Sequence, residues 1–251
     1  MKRLIIVSTL LTLLFTGCIF DGDNDEKYPE VNEFPLETGN TWVYRLSYDY
    51  HDSLGNHPDI SMEVAVTWEI TDHDSLNEHD AYEMEITHHY LSGDNKGKIE
   101  STRNWYEQRD GRLGSVASEG SLYMHHGQLF KMADTSDLYP WFVTIAEFPL
   151  SIGKTWTVGW ETEISTLKTV MDRESVAVPA GNFPAYRVIS QVTYNDIWGW
   201  YQNQQWFSSV GIVKMSVNEY INELGTSYGG ANEKQVCTIQ TTMELVEYHL
   251  K

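Results

Sequence analysis

The chain has 251 residues, enough for one large domain or two small ones. Hydrophobic residues make up 41% of it, with 15 tyrosines and nine tryptophans, so a core can form and the composition excludes global disorder. The net charge is −19, and cleavage of residues 1–17 would remove Lys2 and Arg3 and leave 15 basic against 36 acidic side chains, a net −21 that repels phosphate backbones and argues against nucleic-acid binding.

The N-terminus reads as an export signal. Met1-Lys2-Arg3 is basic, residues 4–15 are apolar, and Gly17 supplies a small residue before Cys18. Phe15-Thr16-Gly17-Cys18 resembles the bacterial lipobox, with Phe15 where leucine is usual. The resemblance implies cleavage before Cys18 and acylation of its thiol. Residues 1–17 are therefore expected to be a lipoprotein signal peptide and Cys18 the lipid attachment site. The apolar run is shorter than the roughly 20 residues that span a bilayer. Residues 18–33 form an acidic tether, in which Asp21-Gly22-Asp23-Asn24-Asp25-Glu26 is hydrated and self-repelling. It is not a calcium loop of the EF-hand kind, because Glu26 and Asn32 stand where that loop needs Gly and Glu. Ile19 after the cysteine resembles the outer-membrane address of enteric lipoproteins. The expected location is the cell envelope, and the outer membrane in a Gram-negative organism.

From residue 34 onward strand patterning dominates. Trp42, Tyr44, Leu46, Tyr48 and Tyr50 alternate with Val43, Arg45, Ser47 and Asp49. Ile60, Met62, Val64, Val66, Trp68 and Ile70 repeat the habit, followed by Tyr82, Met84, Ile86 and Tyr90. Period two means one buried and one wet face, and these three runs predict an antiparallel meander. Residues 53–56 and 72–80 read as the turns between them. Further strands are expected over 103–108, 122–125, 128–132, 155–161, 170–178, 186–194, 204–208, 212–220 and 235–248. Asp110-Gly111 and His126-Gly127 are hairpin signals. Only residues 136–147 leave room for a turn or two of helix.

An internal echo organises the chain. Phe34-Pro35-Leu36 leads through Gly39 to Thr41-Trp42, and Phe148-Pro149-Leu150 leads through Gly153 to Thr155-Trp156. Proline and glycine make the bend and tryptophan opens a strand. The fold expected is all-β: curved antiparallel sheets in an open or partly closed barrel or sandwich, from two related halves. Residues 34–251 form one domain, since no linker precedes Phe148.

Val178-Pro179-Ala180-Gly181-Asn182-Phe183 and Trp206-Phe207-Ser208-Ser209-Val210-Gly211-Ile212-Val213-Lys214 resemble the V-P-A-G-x-F and W-F-x-x-V-G-I-V-K motifs of an uncharacterised family of bacterial envelope lipoproteins. Both F-P-L-x-x-G segments and the closing Glu244-Leu245-Val246-Glu247-Tyr248 are similar to that family as well. The resemblance covers roughly residues 34–248 and implies a curved sheet loosely similar to the LolA/LolB carriers. It carries no established activity. Pro179 and Gly181 are expected to shape a turn, and Gly211 a bend or bulge.

Catalytic patterns are missing. There is no G-x-S-x-G elbow, no H-E-x-x-H and no paired C-x-x-C. Cys237, alone in the mature chain beside Cys18, is expected to be a buried thiol. His73 and His79 flank an acidic stretch, and histidines also pair at His88-His89 and His125-His126; adjacent residues on a strand face opposite sides, so His88 and His89 do not chelate one ion together. No metal and no cofactor are expected, and the protein is read as a non-enzyme.

What remains is binding. Trp42, Tyr44, Trp68, Met84 and Ile86 share strand parity, and Trp156 opens the second half, so these six are the candidate lining of an apolar site for a lipid or similar molecule. The expected role is a membrane-anchored binding or envelope-assembly module, with the membrane reached through the N-terminal lipid. A scaffold with a filled core, docking an envelope protein, is the alternative. A sugar-binding module built on Trp198-Gly199-Trp200-Tyr201 and Trp206-Phe207 is another. For the anchor, globomycin should make the precursor accumulate and Cys18→Ser should release the protein from membranes; unchanged mass and membrane association under both treatments would contradict lipidation.

Overall fold

The structure, a computed structural model, describes residues 29–53, 58–76, 79–119, 122–125, 128–131, 138–161, 164–194, 201–222 and 235–251. The alternating runs form the strands that their period demands. In chain order these are β1 (Thr41–Asp52), β2 (Ile60–Leu76), β3 (His79–Tyr90), β4 (Ile99–Arg109), β5 (Arg112–Glu119), β6 (Leu122–His125), β7 (Gln128–Lys131), β8 (Leu138–Glu147), β9 (Thr155–Glu161), β10 (Ile164–Val178), β11 (Gly181–Tyr194), β12 (Tyr201–Ser208), β13 (Gly211–Asn222) and β14 (Gln235–His249). No helix occurs among the described residues.

One antiparallel sheet of twelve strands takes the order β8-β5-β4-β3-β2-β1-β14-β13-β12-β11-β10-β9, and β6 pairs with β7 apart from it. It is one sheet, not two facing ones. Its first and last strands in the chain, β1 and β14, pair from Thr41 opposite His249 to Asp52 opposite Cys237. The order curls into a nearly closed barrel, and among the described residues no ladder joins the edge strands β8 and β9. A long antiparallel sheet that twists in one sense curls in this way and brings its two edge strands, β8 and β9, toward each other.

The sequence echo corresponds to repeated backbone geometry. In the first half Gly39 N donates to Ile70 O at 2.7 Å, and Ile70 N donates to Asn40 O at 3.0 Å. In the second, Gly153 N donates to Val170 O at 2.8 Å, and Val170 N donates to Lys154 O at 2.9 Å. Both glycines have positive φ, 93° and 84°. The register then shifts immediately after Ile70 in β2 and immediately after Val170 in β10. A second shared bulge follows, at Trp105/Tyr106 in β4 and at Trp206/Phe207 in β12. Glycines with positive φ, Gly111 at 72° and Gly211 at 105°, lie at the next turn of each half. By these matches β1 to β5 and β8 correspond to β9 to β14.

Three expectations are corrected. Residues 72–76 continue β2 and His79-Asp80 already belong to β3, because the acids of this stretch project outward to solvent while the ladder runs on beneath them. Residues 138–147 are strand β8, held against β5, so pairing overrides any helical tendency there. The acidic tether ends earlier than residue 33, since Val31 is buried in the core and its carbonyl accepts Leu150 N at 3.0 Å. The family-like motifs are turns as expected. Val178 and Gly181 pair around Pro179-Ala180, and Ser208 and Gly211 pair around Ser209-Val210. The His126-Gly127 turn lies outside the described residues.

The inward face of the barrel holds the core: Trp42, Tyr44, Tyr48, Tyr50, Phe207 and Leu245 are at most 1% exposed. The turn glycines tune its ends. A Cβ on Gly111 would sit 2.9 Å from the backbone oxygen of Phe148, whereas one on Gly97 (φ 85°) would meet nothing within 4 Å. Gly97→Ala should lose only the left-handed backbone penalty of about 1 kcal/mol, while Gly111→Ala should lose about 2–3 kcal/mol because backbone must also move. Urea unfolding of the two variants checks this, and equal losses would contradict it.

Candidate functional site

Directly opposed residues of adjacent strands share a face and touch. In the first half, Trp42 of β1 opposes Trp68 of β2, which opposes Ile86 of β3. In the second half, Trp156 of β9 opposes Lys168 of β10, which opposes Ser190 of β11. The two rows occupy corresponding places in the repeat. Lys168 therefore stands where the first half has Trp68, and Ser190 where it has Ile86.

The first row is filled and satisfied. Trp42 and Tyr44 are fully buried, and Met84 is buried with them. Trp42 Nε1 donates to Val210 O at 2.6 Å and the Tyr44 hydroxyl to Ile212 O at 2.9 Å. The rings pack on each other, Phe34 with Trp42 at 5.5 Å and Tyr44 with Trp68 at 4.8 Å between centroids. Burial raises the Tyr44 phenol well above its ordinary pKa, so it remains a neutral donor. Trp68 and Ile86 are partly buried against the same core. The first five of the six candidate residues thus lie in one hydrophobic core, with Tyr44 packed against Trp68.

The second row is different. Trp156, Lys168 and Ser190 are 4%, 9% and 2% exposed. Lys168 Nζ donates to Ile145 O at 2.9 Å and to Gln205 Oε1 at 3.2 Å. Both acceptors are neutral. Ile145 belongs to β8, so the Lys168 side chain reaches from β10 across the unpaired seam. Burial pushes its pKa down from 10.5 to about 8. An ammonium has three donors and two are used. Trp156 Nε1 and Ser190 Oγ are buried with no hydrogen-bond partner among the described residues. Unsatisfied buried donors typically cost about 1–3 kcal/mol each, and the fold does not require them here, since the corresponding places in the first half are apolar or satisfied.

Sequence reasoning named Trp156 and missed Lys168, Ser190 and Gln205. The even parity of Thr166, Lys168 and Val170 was one usable signal, but the hairpin after Trp156 is shorter than that after Trp42, so the echo cannot be extended to Lys168 without the ladder register.

The other candidates fall elsewhere. Trp206 is 9% exposed with its Nε1 donating to Glu174 Oε1 at 2.6 Å, and Phe207 is buried, so these rings are core and not an exposed platform. Trp198 and Trp200 lie outside the described residues, as do Cys18, His126, and the side chains of His125 and Cys237. His73 stacks on Tyr82 at 4.0 Å and its Nε2 lies 2.7 Å from Asp80 Oδ1, while His79 Nδ1 lies 2.7 Å from the buried carboxylate of Glu107. His88 turns inward with Nδ1 unpartnered, and burial lowers its pKa; His89 faces out. No group of three His, Cys, Asp or Glu side chains fit to hold a metal occurs among the described residues. On the outer face, a groove of about 400 Å³ between β3, β4 and β5 is crossed by the Arg103 pairs to Glu119 at 2.7 Å and Glu83 at 3.8 Å.

No protein-family profile matches the chain, and no curated protein matches it. Two solved structures are similar to it. One is a candidate exported protein with YmcC-like fold from Bacteroides fragilis, 13% identical, covering 86% of this chain and 98% of that one, with a TM-score of 0.45. The other is a candidate lipoprotein from Parabacteroides distasonis, 13% identical, covering 86% of this chain and 97% of that one, with a TM-score of 0.36.

The buried lysine predicts a pH signature. Its folded pKa near 8 lies below the unfolded value of 10.5, so between these pH values the unfolded chain holds more protons and stability rises with pH. Lys168→Met keeps the shape and removes the ionisation. The variant should be more stable than wild type at pH 7, and its advantage should shrink by up to about 3 kcal/mol as pH climbs toward 10. Urea unfolding of both proteins at pH 7 and pH 9.5 measures the difference; an advantage independent of pH would contradict it.

Proposed function

We propose that this protein is a lipid-anchored envelope protein, not an enzyme, whose barrel binds an apolar ligand. The observation that carries the reading is the unpaired junction of β8 and β9 over an aromatic interior. Its counterpart in the repeat, β1 with β14, is laddered along its whole length. Strand edges left without partners are a hazard that folds normally remove, and among the described residues this unpaired junction lies beside the row of Trp156, Lys168 and Ser190. A small β-barrel is filled by its own side chains or holds one small ligand between its walls, and the reading here takes the second case. The basic start, apolar run and Cys18 of the N-terminus support attachment to a membrane, which would keep the barrel beside a source of such ligands.

A second reading has its own support. The first-half row is solid, with Trp42 and Tyr44 tied to backbone carbonyls of the opposite half. If the second half packs as tightly, the protein is a scaffold that docks an envelope partner. The mature chain carrying Cys18→Ser, exported behind a non-lipoprotein signal, separates the two. Dodecanol added to it should change tryptophan fluorescence saturably and appear as a one-to-one adduct in native mass spectrometry. A bare polypeptide mass and unchanged fluorescence would favour the scaffold.

A further inference from the structure

We infer that Trp156, Lys168 and Ser190 bind the carboxylate head of a single-chain amphiphile whose tail lies along the aromatic interior of the barrel. This rests on the ligand-binding reading above and names the chemistry of the ligand.

Three observations lead to it. The first is position: the ladder sets the three residues side by side on adjacent strands, all facing inward and all buried. Neighbouring strands lie about 4.8 Å apart, so the long side chains of Trp156 and Lys168 and the short one of Ser190 can converge on one small group. The second is hydrogen-bond valence. The free groups in the row are the Trp156 N–H, the Ser190 hydroxyl and the third N–H of Lys168. Two of these only donate, and the third can, so the row calls for an acceptor. The third is departure from the repeat. At the same places the first half keeps Trp68 and Ile86 and satisfies its tryptophan through Val210 O, so the barrel closes without these polar groups.

Charge then selects the head. Lys168 is held by two neutral acceptors and has one positive charge to offset. A carboxylate carries one negative charge and accepts several hydrogen bonds, whereas a phosphate monoester carries about 1.5 to 2 and would leave part of its charge buried and unpaired. Beyond the polar row and its neighbours Gln205 and Asn203, the interior beside it holds buried Val158, Val170 and Val188, so the chain attached to the head must be apolar too. Because Lys168 also holds the carbonyl of Ile145 on the edge strand β8, the head lies at the seam and the tail runs inward.

Calorimetric titration of the mature Cys18→Ser chain with dodecanoate, dodecanol and dodecyl phosphate tests this. Dodecanoate should bind at least tenfold more tightly than either of the others. Lys168→Met should weaken dodecanoate at least tenfold and change dodecanol less than threefold, and Trp156→Phe should act in the same direction with a smaller loss. Equal affinity of wild type for dodecanoate and dodecanol would overturn the inference and leave the apolar-ligand reading intact. Tighter binding of the phosphate would overturn the choice of head. Failure of all three to bind would overturn both readings together. The wild-type comparison decides the matter even if a variant does not fold.

Discussion

The ladder between β1 and β14 joins strands about two hundred positions apart in the chain, and the rest of the barrel depends on it. Each half is a meander of local hairpins that buries only one face of its own sheet. Alone, either would expose Trp42 or Trp156 and a row of unpaired edge groups. Pairing β1 with β14 makes one continuous sheet, and twist then brings its aromatic face inward. The loop closed by this pairing is long, so its entropy cost must be met by the hydrogen bonds of a full-length ladder and by burial of the rings behind it.

The same geometry explains why the two junctions between halves differ. In a perfect repeat, β8 and β9 would pair as β14 and β1 do. They meet at the turn that carries Phe148-Pro149-Leu150, yet no ladder joins them among the described residues. Lys168 crosses the gap instead, holding Ile145 O from two strands away. A charged side chain spanning an open seam is a weaker fastening than a ladder. The halves diverge in structure at this point: one packs Tyr44 against Trp68, the other buries the unpartnered donors of Trp156 and Ser190.

Much of this was legible in the residues. Period-two alternation marked β1, β2 and β3 and their shared face, because a half-buried strand must alternate. The Phe-Pro-Leu…Gly…Thr-Trp echo marked the starts of both halves, because the same turn needs the same proline and glycine. The Pro179 and Gly211 turns were readable for similar reasons. The acidic run at 72–76 misled, since charge on a strand's outward face looks like a loop when the inward face is short. The edge strand β8 was missed because its pairing with β5 is a tertiary fact. Lys168 and Ser190 were missed for a sharper reason: parity with Val170 hinted at Lys168, but a lone lysine or serine in a strand ordinarily faces water, and only the register of three strands puts these two inside.

The barrel is sealed at β1–β14 and unsealed at β8–β9, and native-state amide hydrogen exchange reads this difference strand by strand. Amides in the β1–β14 ladder should exchange only through global unfolding, while those of β8 and β9 that face the seam should exchange through local opening, faster by about a hundredfold or more. Seam-facing amides of β8 and β9 protected as fully as those of β1 and β14 would contradict an open seam.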